Sequence, residues 1–468
     1  MNDPTPIYID ATMMYRWKHL APVGIVRLER LIASHLRFVA GLGPVHFILW
    51  DDGYRLVTDI EEGMLDQLLD PAQATSDPVE QPTSEVVPAE IMSTSRRVLP
   101  AVRRGAMRTL GRLPDHLRPF AEQAAWAGAT FLVESGRYVR RRRDDRRATS
   151  PRSTGRSVTH RVDFSGGGDL VALGLGWEYL DHEEMYRLSR EHGIRIHMPA
   201  FDLIPIDMPQ MNAGQSHLVH RYYAEMAHYA DTITSISEAT TRALRAFYQH
   251  EQLRTPVLAT NPLPGFELDE LGASDPARRR HRLEGERFVL TVSTIEIRKN
   301  HLLLAKIWTE CAKEGIDLPR LAIVGRVGWD VAELVRWIEH APELLDHVEI
   351  FADVEDEELV RLYHDALFTV FPSRIEGWGL PITESLTCGK VCIHSTDPAQ
   401  LEASQGLMPA LHPDDYVSWK REIVRMSSDA EHRVSLEQVI RERYRPRTPT
   451  EYCDAYARII AERRGATA

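Results

Sequence analysis

The chain has 468 residues, of which 43% are hydrophobic and 26% charged, and its formal net charge is −12. This length is enough for two or three domains with substantial cores, and the composition is typical of a soluble globular protein. Because a strongly acidic protein is repelled by phosphates, the charge argues against nucleic acid as a partner.

Cysteine usage and apolar runs indicate the compartment. The sequence MNDPTPIYIDAT lacks the basic region and apolar core of a signal peptide, and no apolar run approaches the ~18 residues of a membrane-spanning helix. We therefore expect a cytoplasmic protein that is not integral to a membrane. The cysteines show neither zinc-site spacing nor a disulfide-rich pattern, which favours a reducing cytoplasm: Cys311, Cys388, Cys392 and Cys453.

The first predicted elements are a strand, a glycine turn and a helix. IYIDAT, from Ile7 to Thr12, is typical of a strand, and apolar residues at helical spacing follow from Ile25 to Leu36. Gly24 directly precedes this helical pattern. A glycine between a strand and a helix lets the backbone approach a ligand closely. VHFILW, from Val45 to Trp50, predicts the next strand.

A long insertion with an unusual charge is predicted at about residues 70–161. It begins as an acidic, proline-bearing linker, and from Arg96 to Arg161 it has 17 arginines, no lysine and five acidic residues. That is a local charge of +12, which leaves −24 for the remainder. Apolar residues in its middle fit an amphipathic helix, so the segment is expected to dock on an anionic membrane surface. A disordered insertion, a nucleic-acid patch and a helix packed on the domain are the alternatives, and the acidic remainder disfavours nucleic acid.

Regular elements resume at residue 169 and continue to the end of the first predicted domain, residues 1–266. Asp181 is the expected N-cap of a helix that ends at Gly193, and Ser237 with Glu238 is the expected cap of another. RIHMPAFDLIPIDMP lies between them and predicts a buried strand and a loop. We expect His197, on this strand, to be structural rather than catalytic.

The second predicted domain, residues 285–445, places two cations at a strand-to-helix turn. Phe288 to Val292 predicts its first strand, and Arg298 and Lys299 follow before a helix that begins at His301. Two cations at such a turn neutralise a diphosphate and stabilise it as a leaving group. A surface pair of basic residues is the simpler alternative.

The stretch LFTVFPSRIEGWGLPITESLTCG, from Leu367 to Gly389, predicts a strand, a glycine loop and a helix N-terminus at one point. An open α/β sheet binds ligands at such a point, and helix N–H groups attract phosphate there. Glu376 lies in the loop and Glu384 on the helix, with seven residues between them. Ionised carboxylates accept hydrogen bonds from the adjacent hydroxyls of a sugar. A solvated loop charge and an ordinary acid at a helix N-terminus are the alternatives.

At these residues the sequence resembles the retaining glycosyltransferases of family 4, which have the GT-B fold. Glu376 and Glu384 match the E-x7-E motif of that family inside its PS-x-x-E-G-W-G-L-P setting. Arg298 and Lys299 match its T-I-E-P-R-K-N motif, with Ile297 in place of the proline. The resemblance implies that Glu376 contacts the donor sugar, that Glu384 contacts the nucleotide ribose and that the two cations hold the diphosphate.

Other segments resemble the family less specifically. The GI-x-R stretch is similar to its first loop, which makes Gly24 and Arg27 candidates for contacts with the donor and the acceptor, respectively. Asp202 matches an aspartate on the acceptor side of bacterial polysaccharide glycosyltransferases. The remaining donor-binding residues that the resemblance implies are the base-binding turn at Asp353 and Val354 and the loop residues Gly377, Trp378, Gly379 and Leu380.

By this resemblance the fold is α/β, with two doubly wound Rossmann-like domains facing a cleft and a C-terminal helix, residues 446–468, crossing back to the first domain. The expected function is retaining, metal-independent transfer of a sugar from a nucleotide-diphosphate sugar, with GDP-mannose the first choice. A glycan or lipid-linked acceptor in bacterial surface polysaccharide synthesis is expected, at the inner face of the plasma membrane. No cofactor, metal or nucleic acid is expected. A sugar-nucleotide epimerase and a non-catalytic scaffold of the same fold are the alternatives.

Overall fold

The computed structural model describes residues 5–16, 24–39, 42–51, 53–69, 161–174, 176–211, 214–265, 281, 283–344, 346–352 and 354–465. Two predictions from the sequence lie outside these ranges. They are the insertion at about residues 70–161, with its acidic linker and its arginine-rich segment, apart from the last residue Arg161, and the proposed base-binding residue Asp353. Within the described residues the chain divides into two compact units.

The first unit contains residues 5–69, 161–265 and 447–465. Its sheet has the order β3-β2-β1-β4-β5-β6-β7, in which only β3 runs antiparallel to its neighbour. The strands are β1 Ile7–Asp10, β2 Val45–Trp50, β3 Tyr54–Leu56, β4 Gly168–Ala172, β5 Ile194–Ala200, β6 Ala230–Ser235 and β7 Val257–Thr260. The helices between these strands are α1 Thr12–Arg16, α2 Gly24–Leu36, α3 Asp59–Leu69, α4 His182–Glu191, α5 Ile204–Asp207, α6 Ser216–Tyr229 and α7 Glu238–His250.

Both faces of this sheet are covered, because its strands are apolar on both sides. Tyr8 and Leu170 belong to one buried cluster, which includes residues of α4, α6 and α7. Ile9 and Val171, the next residues along the same strands, belong to a second cluster with residues of α2. Alternate residues of a strand point to opposite faces, so the two clusters lie on opposite sides of a doubly wound sheet.

The second unit contains the described residues from 281 to 446. Its sheet is wholly parallel, in the order β10-β9-β8-β11-β12-β13. The strands are β8 Phe288–Val292, β9 Arg320–Val324, β10 Val348–Phe351, β11 Thr369–Phe371, β12 Cys392–Ser395 and β13 Ala410–Leu411. The helices are α8 His301–Lys313, α9 Ala332–His340, α10 Asp356–Asp365, α11 Leu380–Thr387, α12 Pro398–Ala403, α13 Tyr416–Ser428 and α14 Ala430–Arg443. Short 3-10 turns are Ile297–Lys299 and Pro342–Leu344 in this unit, and Gly176–Glu178 and Pro209–Met211 in the first.

The last helix, α15 Pro449–Gly465, packs on the first unit. Its Arg464 binds the fully buried carboxylate of Asp169 at 2.7 Å, and Arg195 and His197 bind the same carboxylate at 2.8 and 2.9 Å. Burial would raise the pKa of Asp169, but the hydrogen bonds from His197 and Arg195 hold it well below its usual range. His197 is thus part of a buried ion cluster that ties α15 to β4 and β5.

The fold prediction is confirmed in its main feature, two α/β units that are each built on a parallel sheet. The predicted helix caps are also confirmed. Asp181 accepts hydrogen bonds from the N–H groups of Glu183 and Glu184, and Ser237 accepts one from Thr240. None of the helices that the structure describes is long and apolar enough to cross a membrane.

Candidate functional site

The candidate site is built at the carboxyl ends of two neighbouring strands of the second unit. β8 and β11 are adjacent in the sheet although about 80 residues separate them in the chain. The carboxyl ends of parallel strands meet at one edge, so the loops after β8 and β11 come together there. Arg298 and Lys299 lie in the first loop, and Glu376 lies in the second.

These three side chains are in direct contact. The Nη1 atom of Arg298 lies 2.8 Å from Oε2 of Glu376, and the Nζ atom of Lys299 contacts Oε1 of the same carboxylate. All three side chains are mostly buried, with 14%, 12% and 10% of their surface exposed for Arg298, Lys299 and Glu376. The structure therefore joins the two segments that the sequence predicted separately.

The electrostatics of this contact favour the ionised carboxylate. Burial would raise the pKa of Glu376, but the charges of Lys299 and Arg298 outweigh it and lower the pKa to about 2. Burial lowers the pKa of Lys299, and the charge of Glu376 opposes that change. The carboxylate is therefore ionised at neutral pH.

A second carboxylate, Glu296, completes the charge balance. It is 3% exposed, and its Oε1 atom lies 2.8 Å from Nη2 of Arg298. Burial raises the pKa of Glu296, while Arg298 and Lys299 favour its charged form. Two cations and two carboxylates thus form a buried cluster with no net charge when all four groups are ionised. The sequence analysis missed Glu296, although it stands only two residues before Arg298.

Backbone hydrogen bonds fix the two loops against each other. The guanidinium of Arg298 donates to the carbonyl of Ile375 at 2.7 Å, and the N–H of Arg374 donates to the carbonyl of Arg298 at 2.9 Å. The hydroxyl of Ser373 donates to Oε1 of Glu376 at 2.5 Å. The carboxylate therefore has a defined position on the loop, independent of any ligand.

The loop leads into the N-terminus of α11 as predicted. Gly379 adopts a φ of 127°, which favours glycine, and it precedes the first helical residue Leu380 without a side-chain cap. Gly377 and Trp378 are buried before it. The indole Nε1 atom of Trp378 is buried without a hydrogen-bond partner in the described part of the chain. Backbone N–H groups at this helix start suit an anion.

Glu384 lies farther along the same helix and is held by a residue that the sequence analysis missed. The hydroxyl of Tyr363, on α10, donates to Oε2 of Glu384 at 2.6 Å. Tyr363 is buried, whereas Glu384 is half-buried. Val354, the described half of the predicted base-binding turn, is half-buried against the core of this unit.

The predicted acceptor-side residues belong to the first unit. Gly24 is the first residue of α2, and Arg27 lies in its first turn, half-buried. The carboxylate of Asp202 accepts a hydrogen bond from the N–H of Ile204 at 3.0 Å, which fixes the start of α5. Within the ranges that the structure describes, no group of three or more His, Cys, Asp or Glu residues is arranged to hold a metal ion.

Comparison with known proteins identifies the class of this domain. Residues 274–442, which include both loops of the site, match the family model described as glycosyl transferases group 1. The second unit therefore resembles a glycosyltransferase domain over most of its length. Among relatives, the chain is 26% identical over 195 residues to the serotype-specific mannosyltransferase WbdA of Escherichia coli, an alignment that covers 39% of this chain and 24% of the relative.

A second relative is the O-antigen chain mannosyltransferase B of Escherichia coli, 29% identical over 145 residues, which are 31% of this chain and 38% of that protein. The chain thus matches less than two fifths of the length of these relatives. HepE of Anabaena, solved with UDP and glucose, has a TM-score of 0.55 at 12% identity and aligns over 98% of this chain and 100% of its own. Sucrose-phosphate synthase of Thermosynechococcus elongatus has a TM-score of 0.51 at 18% identity, over 64% and 74%. These likenesses confirm the predicted GT-B type of fold.

Proposed function

We propose that the protein is a retaining glycosyltransferase of the family-4 type, which moves a sugar from a nucleotide-diphosphate sugar to a glycan or a lipid-linked acceptor. The observation that carries the proposal is the contact of Arg298 and Lys299 with Glu376 at the carboxyl edge of the second sheet. The match of residues 274–442 to a glycosyltransferase family supports it.

The roles of the residues follow from their chemistry. Arg298 and Lys299 bind the diphosphate and stabilise its charge as the glycosyl bond breaks, together with the backbone N–H groups at the start of α11. Glu376 accepts hydrogen bonds from the hydroxyls of the donor sugar. Glu384 binds the nucleotide ribose with the carboxylate that Tyr363 orients.

The stereochemistry follows from the same arrangement. The acceptor hydroxyl attacks from the face that the leaving phosphate occupies, and that phosphate takes the proton. Configuration at the sugar is thereby retained without a protein nucleophile. The two cations supply the charge stabilisation that a metal ion provides in other enzymes, so the proposed reaction is metal-independent.

Mannose is the proposed sugar and GDP-mannose the proposed donor, because both relatives are named mannosyltransferases. One of them is named for the O-antigen chain, which supports a bacterial surface polysaccharide as the product. We further propose that residues 96–161 hold the protein at the inner face of the plasma membrane, where lipid-linked acceptors lie. The arginine content of this segment supports that proposal.

The test of the reaction uses the full-length protein, GDP-mannose and UDP-glucose, and lipid extracts as acceptors. Transfer to lipid by the wild type is expected, with a loss of about 2 kcal/mol or more in transition-state stabilisation for Arg298→Ala and Lys299→Ala. Arg425→Ala, an exposed arginine on α13, is the matched control. Donor turnover without any acceptor indicates an epimerase instead, and absence of nucleotide binding indicates a scaffold.

The membrane proposal has its own test. Vesicles that contain anionic lipid are sedimented with the wild type and with a variant that lacks residues 96–161. The variant is expected to stay in the supernatant. Equal sedimentation of both proteins contradicts the membrane role of the segment and leaves the reaction untouched.

A further inference from the structure

The loop that carries Glu376 is joined to the next strand by one buried amide. β11 and β12 pair in parallel, and their last paired residues are Phe371 and His394. Beyond Phe371 the chain leaves β11 and forms the loop with Glu376, and β12 ends one residue after His394, at Ser395. Gln400, on α12, is fully buried behind them.

The side chain of Gln400 bridges the loop after β11 and the last residue of β12. Its Nε2 atom donates to the carbonyl of Ser373 at 2.8 Å, and its Oε1 atom accepts from the N–H of Ser395 at 3.1 Å. The orientation of the amide is set by its partners, because a carbonyl needs a donor and an N–H needs an acceptor. The amide thus satisfies two buried backbone groups at the place where strand pairing has ended.

Further bonds hold the amide itself and the residue before Ser373. The carboxylate of Asp397 caps α12 and accepts a hydrogen bond from the N–H of Gln400 at 3.3 Å. On the other side, Asn300 donates to the carbonyl of Pro372 at 3.3 Å. Two side-chain amides from different helices therefore hold consecutive carbonyls of the loop.

Ser373 in turn contacts the carboxylate of Glu376. Ser373 is fully buried, and its hydroxyl donates to Oε1 of Glu376 at 2.5 Å. A shift of the Ser373 backbone moves this hydroxyl away from Oε1 of Glu376 and leaves that oxygen to Lys299. A misplacement of such a group by about 1 Å can cost on the order of 100-fold in rate.

We propose that Gln400 is a positioning residue, which sets the place of the Glu376 carboxylate through Ser373. This inference rests on the proposed glycosyltransferase function. Gln400 touches no reacting atom in it. It acts through the loop, and its replacement changes the rate of sugar transfer by moving the carboxylate of Glu376.

The variant Gln400→Glu separates positioning from folding, since glutamate has nearly the same shape. A protonated glutamic acid can donate a hydrogen bond to the carbonyl of Ser373. An ionised carboxylate has no proton to donate and repels that carbonyl oxygen. Burial and the neighbouring carboxylates of Asp397 and Glu376 favour protonation at this place. Transfer by the variant is therefore expected to approach the wild-type rate at low pH and to fall at least tenfold below it as pH rises.

The pH profile of the wild type is measured beside that of the variant. Burial and the charge of Glu376 raise the pKa of Asp397 to about 7, so Asp397 titrates in both proteins. The ratio of the two rates shows the effect of the new carboxyl, including its coupling to Asp397. Gln438→Glu, which adds the same charge at an exposed position of α14, is the control and is expected to follow the wild-type profile.

A second variant, Gln400→Met, removes both hydrogen bonds without adding a charge. Its kcat is expected to fall at least tenfold at every pH, and its Kd for GDP or UDP is expected to change less than threefold. A Gln400→Glu profile parallel to the wild type, an unchanged kcat in Gln400→Met, or failure of both variants to fold overturns the proposal. Absence of transfer and of nucleotide binding in the wild type overturns the proposed function instead.

Discussion

Replacing Glu376 with glutamine is expected to strengthen the binding of a nucleoside diphosphate while it removes sugar transfer. In the structure the carboxylate of Glu376 contacts both Arg298 and Lys299, the cations proposed to hold the diphosphate. A bound diphosphate must share these cations with Glu376 or displace it. Glutamine keeps the size of the side chain and removes the competing charge.

The pKa of Glu376 gives the magnitude. Its fall from 4.5 to about 2 corresponds to about 3 kcal/mol in favour of the charged form, at ~1.36 kcal/mol for each tenfold change. Because burial opposes the shift, this value gives the scale of the competition rather than its limit, on the order of 100-fold in Kd. The wild-type carboxylate keeps part of its attraction to the two cations when it turns towards the sugar. We therefore expect the substitution to strengthen nucleotide binding by about tenfold in Kd.

The same substitution leaves two buried cations with one carboxylate, Glu296. An uncompensated buried charge costs about 3–5 kcal/mol of stability. The variant is therefore expected to unfold at a lower temperature than the wild type, and GDP or UDP is expected to raise its Tm by more than it raises that of the wild type. Sugar transfer is expected to fall by about 100-fold, because a charge-assisted hydrogen bond to the sugar is lost.

Calorimetric titration with GDP and with UDP measures the affinities, and Glu431→Gln, an exposed glutamate on α14, is the control. The reasoning is refuted if Glu376→Gln binds both nucleotides as weakly as the wild type or more weakly. That result would mean that the diphosphate does not use the cations that Glu376 contacts.

Two other substitutions test the supporting contacts. Tyr363→Phe removes the hydrogen bond that the tyrosine donates to Glu384 and is expected to raise the KM for the donor about fivefold (~1 kcal/mol) with kcat unchanged. Tyr416→Phe, which breaks another Tyr–Glu hydrogen bond of the same unit, leaves KM unchanged, and equal effects contradict the role of Glu384. Asp169→Asn is expected to destabilise the first unit by about 3–5 kcal/mol near neutral pH, seen as a lower Tm, and by more than Asp66→Asn, which breaks a half-buried pair with Arg37. The pKa of Asp169 is lowered on folding, so its contribution to the free energy of unfolding is present above pH ~3.8 and is lost only as pH falls through the lower folded value. The stability difference between the wild type and Asp169→Asn is therefore expected to stay constant between about pH 8 and 5. A difference that shrinks over this range contradicts the role of the ion cluster.

Local signals predicted the elements well. β2 and β8 have the bounds that their apolar runs indicated, and Asp181 and Ser237 cap the helices that they precede. These features depend on a few neighbouring residues, whose spacing and side-chain chemistry are visible in the sequence. The cation pair and the two glutamates were visible for the same reason, because each lies in a compact motif.

The partners of these residues were not visible. Tyr363 reaches Glu384 from another helix, and Gln400 reaches Ser373 from beyond the next strand. In the sequence both are ordinary residues of amphipathic helices, and no local pattern marks them. Only the order of the strands brings their side chains to the motif, and that order is a property of the whole sheet.

Strand order also explains how a charged cluster without net charge can still suit the proposed diphosphate. The loops after β8 and β11 are neighbours only because the sheet places these strands side by side. The buried charges of each loop alone would be unbalanced, with Glu296, Arg298 and Lys299 in one loop and Glu376 in the other. Their contact holds the cations in place before a ligand arrives, which reduces the cost of ordering them on binding. A diphosphate, with more charge than one carboxylate, can then replace Glu376 on the same cations, and the displaced carboxylate is available to the sugar hydroxyls.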